Sequence, residues 1–386
     1  MEPQGFIPYG RQWIDADDER AVLAALRSDF LTQGPATPQF EADLAAYVGA
    51  RFAVAVSNAT AGLHLTMAAL NLGPGEGITT PITFVATANA MAYVGLTPVF
   101  ADIDAETLNL SPAATRAAMT DQTRVIAPVH FAGRPADMAA FREIADVSGA
   151  RIVEDAAHAI GSEHGNGKVG DCRHSAATVF SFHPVKTMTT GEGGAVTTND
   201  PELYERLLLL RSHGITRDPA RLSEQPGTWW YEQQLLGFNY RLTEIQAVLG
   251  SSQLSKLDRF IDRRLAIIDR YQAAFAELDW LRPPRRGLNR TAYHLFVVQI
   301  DFERIGRSRA EVMAALAALG VGSQVHYIPV PHQPWYRQAY GEQGPFPAAD
   351  RYYDRALSLP LFPAMTDEEV ERVISAVKGL ASGGMA

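Results

Sequence analysis

A lysine placed just beyond a buried strand is the residue of this chain best suited to covalent chemistry. The stretch Ala177-Thr178-Val179-Phe180-Ser181-Phe182 is apolar and β-branched, which predicts a strand, and His183-Pro184 ends it. Lys186 follows at the strand's carboxyl end, the edge at which open α/β sheets bind ligands. A lysine held partly out of water there loses its proton readily enough to attack a carbonyl. Gly191, Gly193 and Gly194 let the backbone come close to a bound group. Taken alone, the stretch also fits a surface lysine in a flexible loop. Two other segments end at the same expected edge. Arg151–Asp155 reads as a strand closing on Asp155, and Phe52–Ser57 reads as a strand that runs through Asn58-Ala59-Thr60 into the helical pattern Gly62–Leu70. Free amides at such a helix start can hold a phosphate, although Ser and Thr cap many helices that bind nothing.

Commoner motifs are absent. Gly73-Pro74-Gly75-Glu76-Gly77 has Ile78 where a dinucleotide fingerprint needs its third glycine, and Gly167-Lys168 precedes Val169 where a P-loop needs Ser or Thr. His158, His164 and His174 lack the spacing of a metal-ligand set, so no metal is expected. What remains is Lys186, Asp155, the turn at Ala59-Thr60-Ala61 and Ser181. Together these are the parts that pyridoxal 5'-phosphate requires: a Schiff-base lysine, a carboxylate for the pyridine nitrogen, and hydroxyls with amides for the phosphate.

The elements that must position these groups alternate along the chain. Strands expected near Ile78–Thr80, Pro98–Asp102, Arg124–Val129 and Gly194–Thr198 are separated by helical patterns such as Phe84–Tyr93, Asp137–Val147 and Pro201–Leu210. That order predicts an α/β chain with a mostly parallel, doubly wound sheet. From Arg241 a long helical pattern is expected to bend at Gly250-Ser251-Ser252 and to carry a domain boundary near Lys256, dividing the chain into residues 1–255 and 256–386. Tyr293–Ile300 and Val321–His326 as strands, with Ser308–Leu319 and Asp367–Leu380 as helices, predict a smaller α+β domain.

Composition limits the partners. The 386 residues are 47% hydrophobic and 20% charged, ordinary for a globular chain. A net charge of -9 with scattered lysines and arginines argues against nucleic acid. One cysteine, Cys172, allows no internal disulfide, and no segment approaches membrane-spanning length, so a cytoplasmic location without membrane association is expected.

The chain resembles the DegT/DnrJ/EryC1/StrS family of pyridoxal-phosphate-dependent sugar aminotransferases over nearly its whole length. The resemblance rests on Ile7–Gln12, Leu31–Pro35, Thr83–Thr87, Glu154–His158, the Lys186 segment and Gly237–Arg241. Ser181–Thr187 and His326–Pro329 resemble the members acting in pseudaminic acid biosynthesis, while Pro331 stands where many relatives have a His-type residue. The resemblance implies a fold-type I aminotransferase and a homodimer with its active sites at the subunit interface. Lys186 would carry the Schiff base, Asp155 would pair with the pyridine nitrogen, and Phe84 would stack on the ring. Thr60, Ala61, His158 and Ser181, with Asn239 from the neighbouring subunit, would complete the cofactor site. Tyr9, Thr32, His183, Arg241, His326 and Tyr327 would contact the sugar nucleotide. The implied substrates are glutamate and a UDP-linked 4-keto-6-deoxy sugar, UDP-2-acetamido-2,6-dideoxy-β-L-arabino-hexos-4-ulose, with dTDP- or GDP-linked sugars as alternatives. A dehydratase of the same fold would carry His in place of Lys186, and an idle sugar-nucleotide-binding protein would not need both Lys186 and Asp155.

Overall fold

The computed structural model of the chain describes residues 5–287 and 289–381. In chain order its strands begin with β1 (Phe52–Val56), β2 (Gly75–Thr79), β3 (Leu96–Phe100), β4 (Thr123–Ala127) and β5 (Arg151–Asp155). A two-residue pair, β6 (Glu163–His164) and β7 (Gly167–Lys168), is followed by β8 (Ala177–Ser181) and β9 (Gly194–Thr198). A second short pair is β10 (Ile215–Thr216) with β11 (Glu232–Gln233), and the chain closes with β12 (Leu281–Arg282), β13 (Phe296–Ile300) and β14 (Ala356–Leu359).

The main sheet has seven strands in the order β1-β9-β8-β5-β4-β2-β3. Only β9 is reversed; it pairs antiparallel with both β1 and β8, and the pairings from β8 to β3 are parallel. Every residue of β8 and β9 is buried, which is why these segments hold no charged residue and read mostly as Ala, Val, Thr and Phe. Alternate side chains serve opposite faces. Phe180 and Phe182 pack with Phe40 and Leu242 on one side, and Val179 packs with Leu63, Met67 and Val196 on the other. Helix Ala59–Leu70 lies close on that second face because Gly62 has no Cβ, which would sit 2.9 Å from Val179 Cγ1. A separate three-stranded antiparallel sheet, β12-β13-β14, packs Phe296 against Phe275, Val312 and Val373 from the surrounding helices.

Two expectations are corrected, and some elements were not expected. The long C-terminal helical pattern does not break at Gly250: Glu244–Leu254 is one helix and Leu257–Phe275 the next, with the break at Ser255-Lys256. Gly250 lies inside the first helix because a Cβ there would meet the Phe40 ring at 2.8 Å, whereas Lys256 leaves the helix and pairs with Asp15 at 2.6 Å and Asp18 at 2.7 Å. Val321–His326 is not a strand. Val321 makes one bridge to Ile7 and Gln324 one to Ser358, because the N-terminal arm takes up the pairing through Ile7 N–H to Gly320 and Gly322 N–H to Ile7. The helices Pro112–Ala118, Pro334–Tyr340 and Pro347–Arg355, together with β14, were not anticipated. Each of these helices starts with a proline that reads locally as a breaker but fits the first helical turn. We propose a division at residues 255/256, between the two helices; residues 1–4 and 382–386 of the two parts lie outside the described residues. The second helix touches both cores, Ile261 in that of the main sheet and Ile268 in that of the small one.

Candidate active site

The carboxyl ends of β1, β2, β4, β5 and β8 and the amino end of the reversed β9 open on a cavity of about 280 Å³. After β8 the chain turns tightly, the Lys186 amide donating to the His183 carbonyl at 2.9 Å, and Lys186 enters the cavity wall. Burial pushes its ammonium down to about 8, against the opposing pull of the Asp155 charge. Asp155 is itself buried and held from both sides. Thr87 donates its hydroxyl to Oδ2 at 2.6 Å and the Ala157 amide donates to Oδ1 at 3.0 Å, while Thr83 lies 2.9 Å behind Thr87.

Helix Ala59–Leu70 points its amino end at the same space. Asn58 caps it by accepting the Ala61 N–H at 2.8 Å, which leaves the Ala59 and Thr60 amides without intrahelical acceptors. The Ser181 hydroxyl faces this turn from β8. Gly194 permits the approach, since a Cβ there would lie 2.7 Å from Ala59 N. The result is a cradle of N–H and O–H donors with positive dipole behind it, suited to a phosphate.

Across the cavity the wall comes from distant segments. The N-terminal arm, pinned by Leu361 N–H to the Tyr9 carbonyl at 3.1 Å, presents Tyr9; His294, His326 and Tyr327 come from the C-terminal third. His326 places Nδ1 2.7 Å from the Ser358 hydroxyl, and burial followed by the Lys186 charge pushes it down to about 3. His158 and His294 pack with ring centroids 4.5 Å apart and planes tilted by 47°, and burial holds both well below the ordinary imidazole range. Phe84 stands at the mouth, 59% exposed although it lines the cavity, as an aromatic face awaiting a partner would.

Of the anticipated residues, Tyr9, Thr60, Phe84, Asp155, His158, Ser181, His183, Lys186, His326 and Tyr327 line this cavity. Ala61 lies one residue deeper, its amide already used by Asn58. Thr32, Asn239 and Arg241 are elsewhere on the chain's own surface. Thr32 bridges to Thr243, Asn239 bridges to Ser212, and Arg241 reaches the Ser212 hydroxyl at 3.5 Å. Sequence reasoning missed Thr87, His294, Glu192 and the cap Asn58 as parts of the site. Thr87 is one helical turn beyond Phe84, a spacing that could have marked it, whereas nothing local marks His294. Among the described residues no group of three or more His, Cys, Asp or Glu side chains is placed to hold a metal ion.

Comparison with known proteins agrees with this geometry. The sequence profile of the DegT/DnrJ/EryC1/StrS aminotransferase family matches residues 12–378. The spore coat polysaccharide biosynthesis protein SpsC of Bacillus subtilis is 41% identical over 385 residues, covering 98% of each chain. PseC of Helicobacter pylori, an aminotransferase involved in the biosynthesis of pseudoaminic acid, superposes with a TM-score of 0.91 at 32% identity, over 98% of this chain and all of that one. The sugar aminotransferase Spr1654 of Streptococcus pneumoniae, described as putative and solved in its PLP form, gives 0.88 at 29% identity over 98% of this chain and 100% of that chain. The donor cradle, the buried carboxylate, the exposed aromatic face and the depressed lysine fit pyridoxal phosphate. The chain belongs to the DegT/DnrJ/EryC1/StrS aminotransferase family and is a pyridoxal-phosphate-dependent sugar aminotransferase.

Proposed function

We propose that this enzyme moves the amino group of glutamate to C4 of a UDP-linked 4-keto-6-deoxy sugar, UDP-2-acetamido-2,6-dideoxy-β-L-arabino-hexos-4-ulose, releasing 2-oxoglutarate and the 4-amino sugar nucleotide. The observation that carries the reaction is Lys186, depressed to about 8, in one cavity with the buried Asp155 and the donor cradle. Likeness to PseC supports the choice of sugar.

Pyridoxal phosphate, when bound, supplies the electron sink that lets an amino group and a carbonyl oxygen exchange places. Thr60, Ser181 and the first amides of helix Ala59–Leu70 would hold its phosphate, Asp155 its pyridine nitrogen and Phe84 its ring face. Lys186, neutral above about pH 8, takes the proton from the α-carbon of glutamate and delivers one to sugar C4. Tyr9, His183, His326 and Tyr327 line the side at which the sugar enters.

Asn239, Thr32 and Arg241 serve the site only if a second copy brings them there, so the reading requires a homodimer. The segment before Asn239 supports this by exposing Trp229, Tyr231 and Leu236 at 69%, 51% and 82%. A cytoplasmic location follows from the same reading, since sugar nucleotides and glutamate are cytosolic metabolites. The decisive experiment offers UDP-, dTDP- and GDP-linked 4-amino sugars with 2-oxoglutarate and follows glutamate formation. Turnover of the UDP sugar is expected, and turnover confined to a GDP- or dTDP-linked sugar overturns the choice.

A further inference from the structure

His158 sits between two partners whose chemistry dictates where its proton lies. Its Nδ1 accepts the Ala132 backbone N–H at 3.3 Å, and its Nε2 lies 3.1 Å from the Tyr327 hydroxyl oxygen. A backbone amide can only donate, so Nδ1 must hold a lone pair. Burial, with Lys186 and His326 nearby, keeps the ring neutral, and its one proton is therefore on Nε2. Turning the ring over would set carbon against both partners, so the observed orientation is the one that uses both nitrogens.

Tyr327 consequently accepts from His158. Burial holds the hydroxyl far above its ordinary titration range, so it keeps its own hydrogen, and that hydrogen has to point away from His158. Among the described residues the hydroxyl has no other hydrogen-bond partner, and it lines the cavity. An O–H that faces a cavity with no protein acceptor is left to donate to water or to an oxygen that a ligand brings. Tyr327 stands on the wall that faces the Lys186 edge, its ring centroid 6.2 Å from that of Phe84.

We propose that His158, as a positioning residue, makes Tyr327 an obligate hydrogen-bond donor to the carbonyl oxygen at C4 of the sugar. The proposal rests on the reading that a 4-keto sugar occupies this cavity. A donor fixed there polarises the carbonyl that is to receive nitrogen, and it offers nothing to the ammonium of the aminated product, which cannot accept. The arrangement favours the keto substrate over the amino product at the same site.

Two measurements on the holoenzyme test it. In protein labelled with ¹⁵N-histidine, the imidazole whose signals vanish in His158→Gln is expected to be protonated at Nε2 and not to titrate between about pH 5 and 8. Protonation at Nδ1, or titration in that range, overturns the relay without reference to any sugar. In kinetics with the two half-reactions followed separately, Tyr327→Phe and His158→Phe are each expected to lower kcat/KM for the keto sugar by about 10- to 100-fold, the scale of one hydrogen bond to developing charge, and by a larger factor than they lower the glutamate half-reaction. The double variant is expected to be no worse than the worse single one. His158→Gln is expected to recover most of the loss, because a carboxamide offers the same acceptor to Ala132 and the same donor to Tyr327. Additive losses, no recovery with Gln, or an equal loss in the glutamate half-reaction overturn the proposal. If the tautomer is as expected but no keto sugar nucleotide reacts, the functional reading fails, and the assigned acceptor fails with it.

Discussion

Along the sheet edge of the cavity, a lysine and a carboxylate face one another among O–H and N–H donors, whereas the wall opposite carries His158, His294 and His326, each held neutral by burial and by the Lys186 charge. The contrast is one of origin as well as charge. Asp155 ends β5, and Thr60 and Lys186 lie in the turns just past β1 and β8, so their positions are tied to the sheet. The histidine wall joins His158, just past β5, to His294 and His326 from more than a hundred residues later in the chain, and is held by hydrogen bonds such as His158 to Tyr327 and His326 to Ser358. Keeping charge on one wall leaves the other able to bind a neutral sugar by hydrogen bonds and shape without placing a second cation beside Lys186.

The largest effect should come from deleting the charged wall's working group. Lys186→Ala should abolish the visible cofactor absorbance and lower turnover by at least about 10²–10⁴-fold, the contribution of a positioned proton-transfer group, measured by spectrophotometry and steady-state assay. Next comes pH. Because only the neutral amine captures the cofactor and Lys186 is pushed down to about 8, the capture rate of the apoprotein should fall about tenfold per unit below pH 8 and level off above it. Asp155→Asn removes the charge that supports the ammonium, so the midpoint of that profile should move to lower pH; an unmoved midpoint would show that the two groups are not coupled.

The neutral wall predicts a separate response to acid, in stability and at lower pH. The native pKa values of His158, His294 and His326 are depressed below the unfolded value of about 6.5, so below that pH the unfolded chain binds protons that the native state refuses. Stability should therefore fall as pH drops below about 6.5, by at most about 1.4 kcal/mol per pH unit for each histidine, and urea midpoints should fall less steeply in His294→Phe. The most local effect is expected at Thr87, which acts through Asp155. Thr87→Val removes one hydrogen bond to a carboxylate and should weaken cofactor affinity by about 1.5–3 kcal/mol or less, read by equilibrium dialysis, with little change in melting temperature.

The same division separates what was legible in the sequence from what was not. Lys186, Asp155, Thr60 and Ser181 could be read because strand, turn and cavity-lining side chain are contiguous, and the period-two and apolar-run signals of β1, β5 and β8 place the strand ends within a residue or two. Gly250 could not be read. Its meaning as a close contact under Phe40 instead of a bend depends on a ring 210 residues earlier in the chain. Val321–His326 looked like a strand because its composition suits one, yet the N-terminal arm at Ile7 took the pairing.

By itself the sequence determined the alternation of strands and helices and the chemistry available at the strand ends, because both are local properties of a chain whose side chains repeat in phase with its backbone. Only the tertiary structure decided that Thr87 would brace Asp155, that His294 would cover His158, and that Tyr327 would face the cavity with its hydrogen free. Hydrogen-bond direction and burial are properties of neighbours in space, and these neighbours come from segments far apart in the chain.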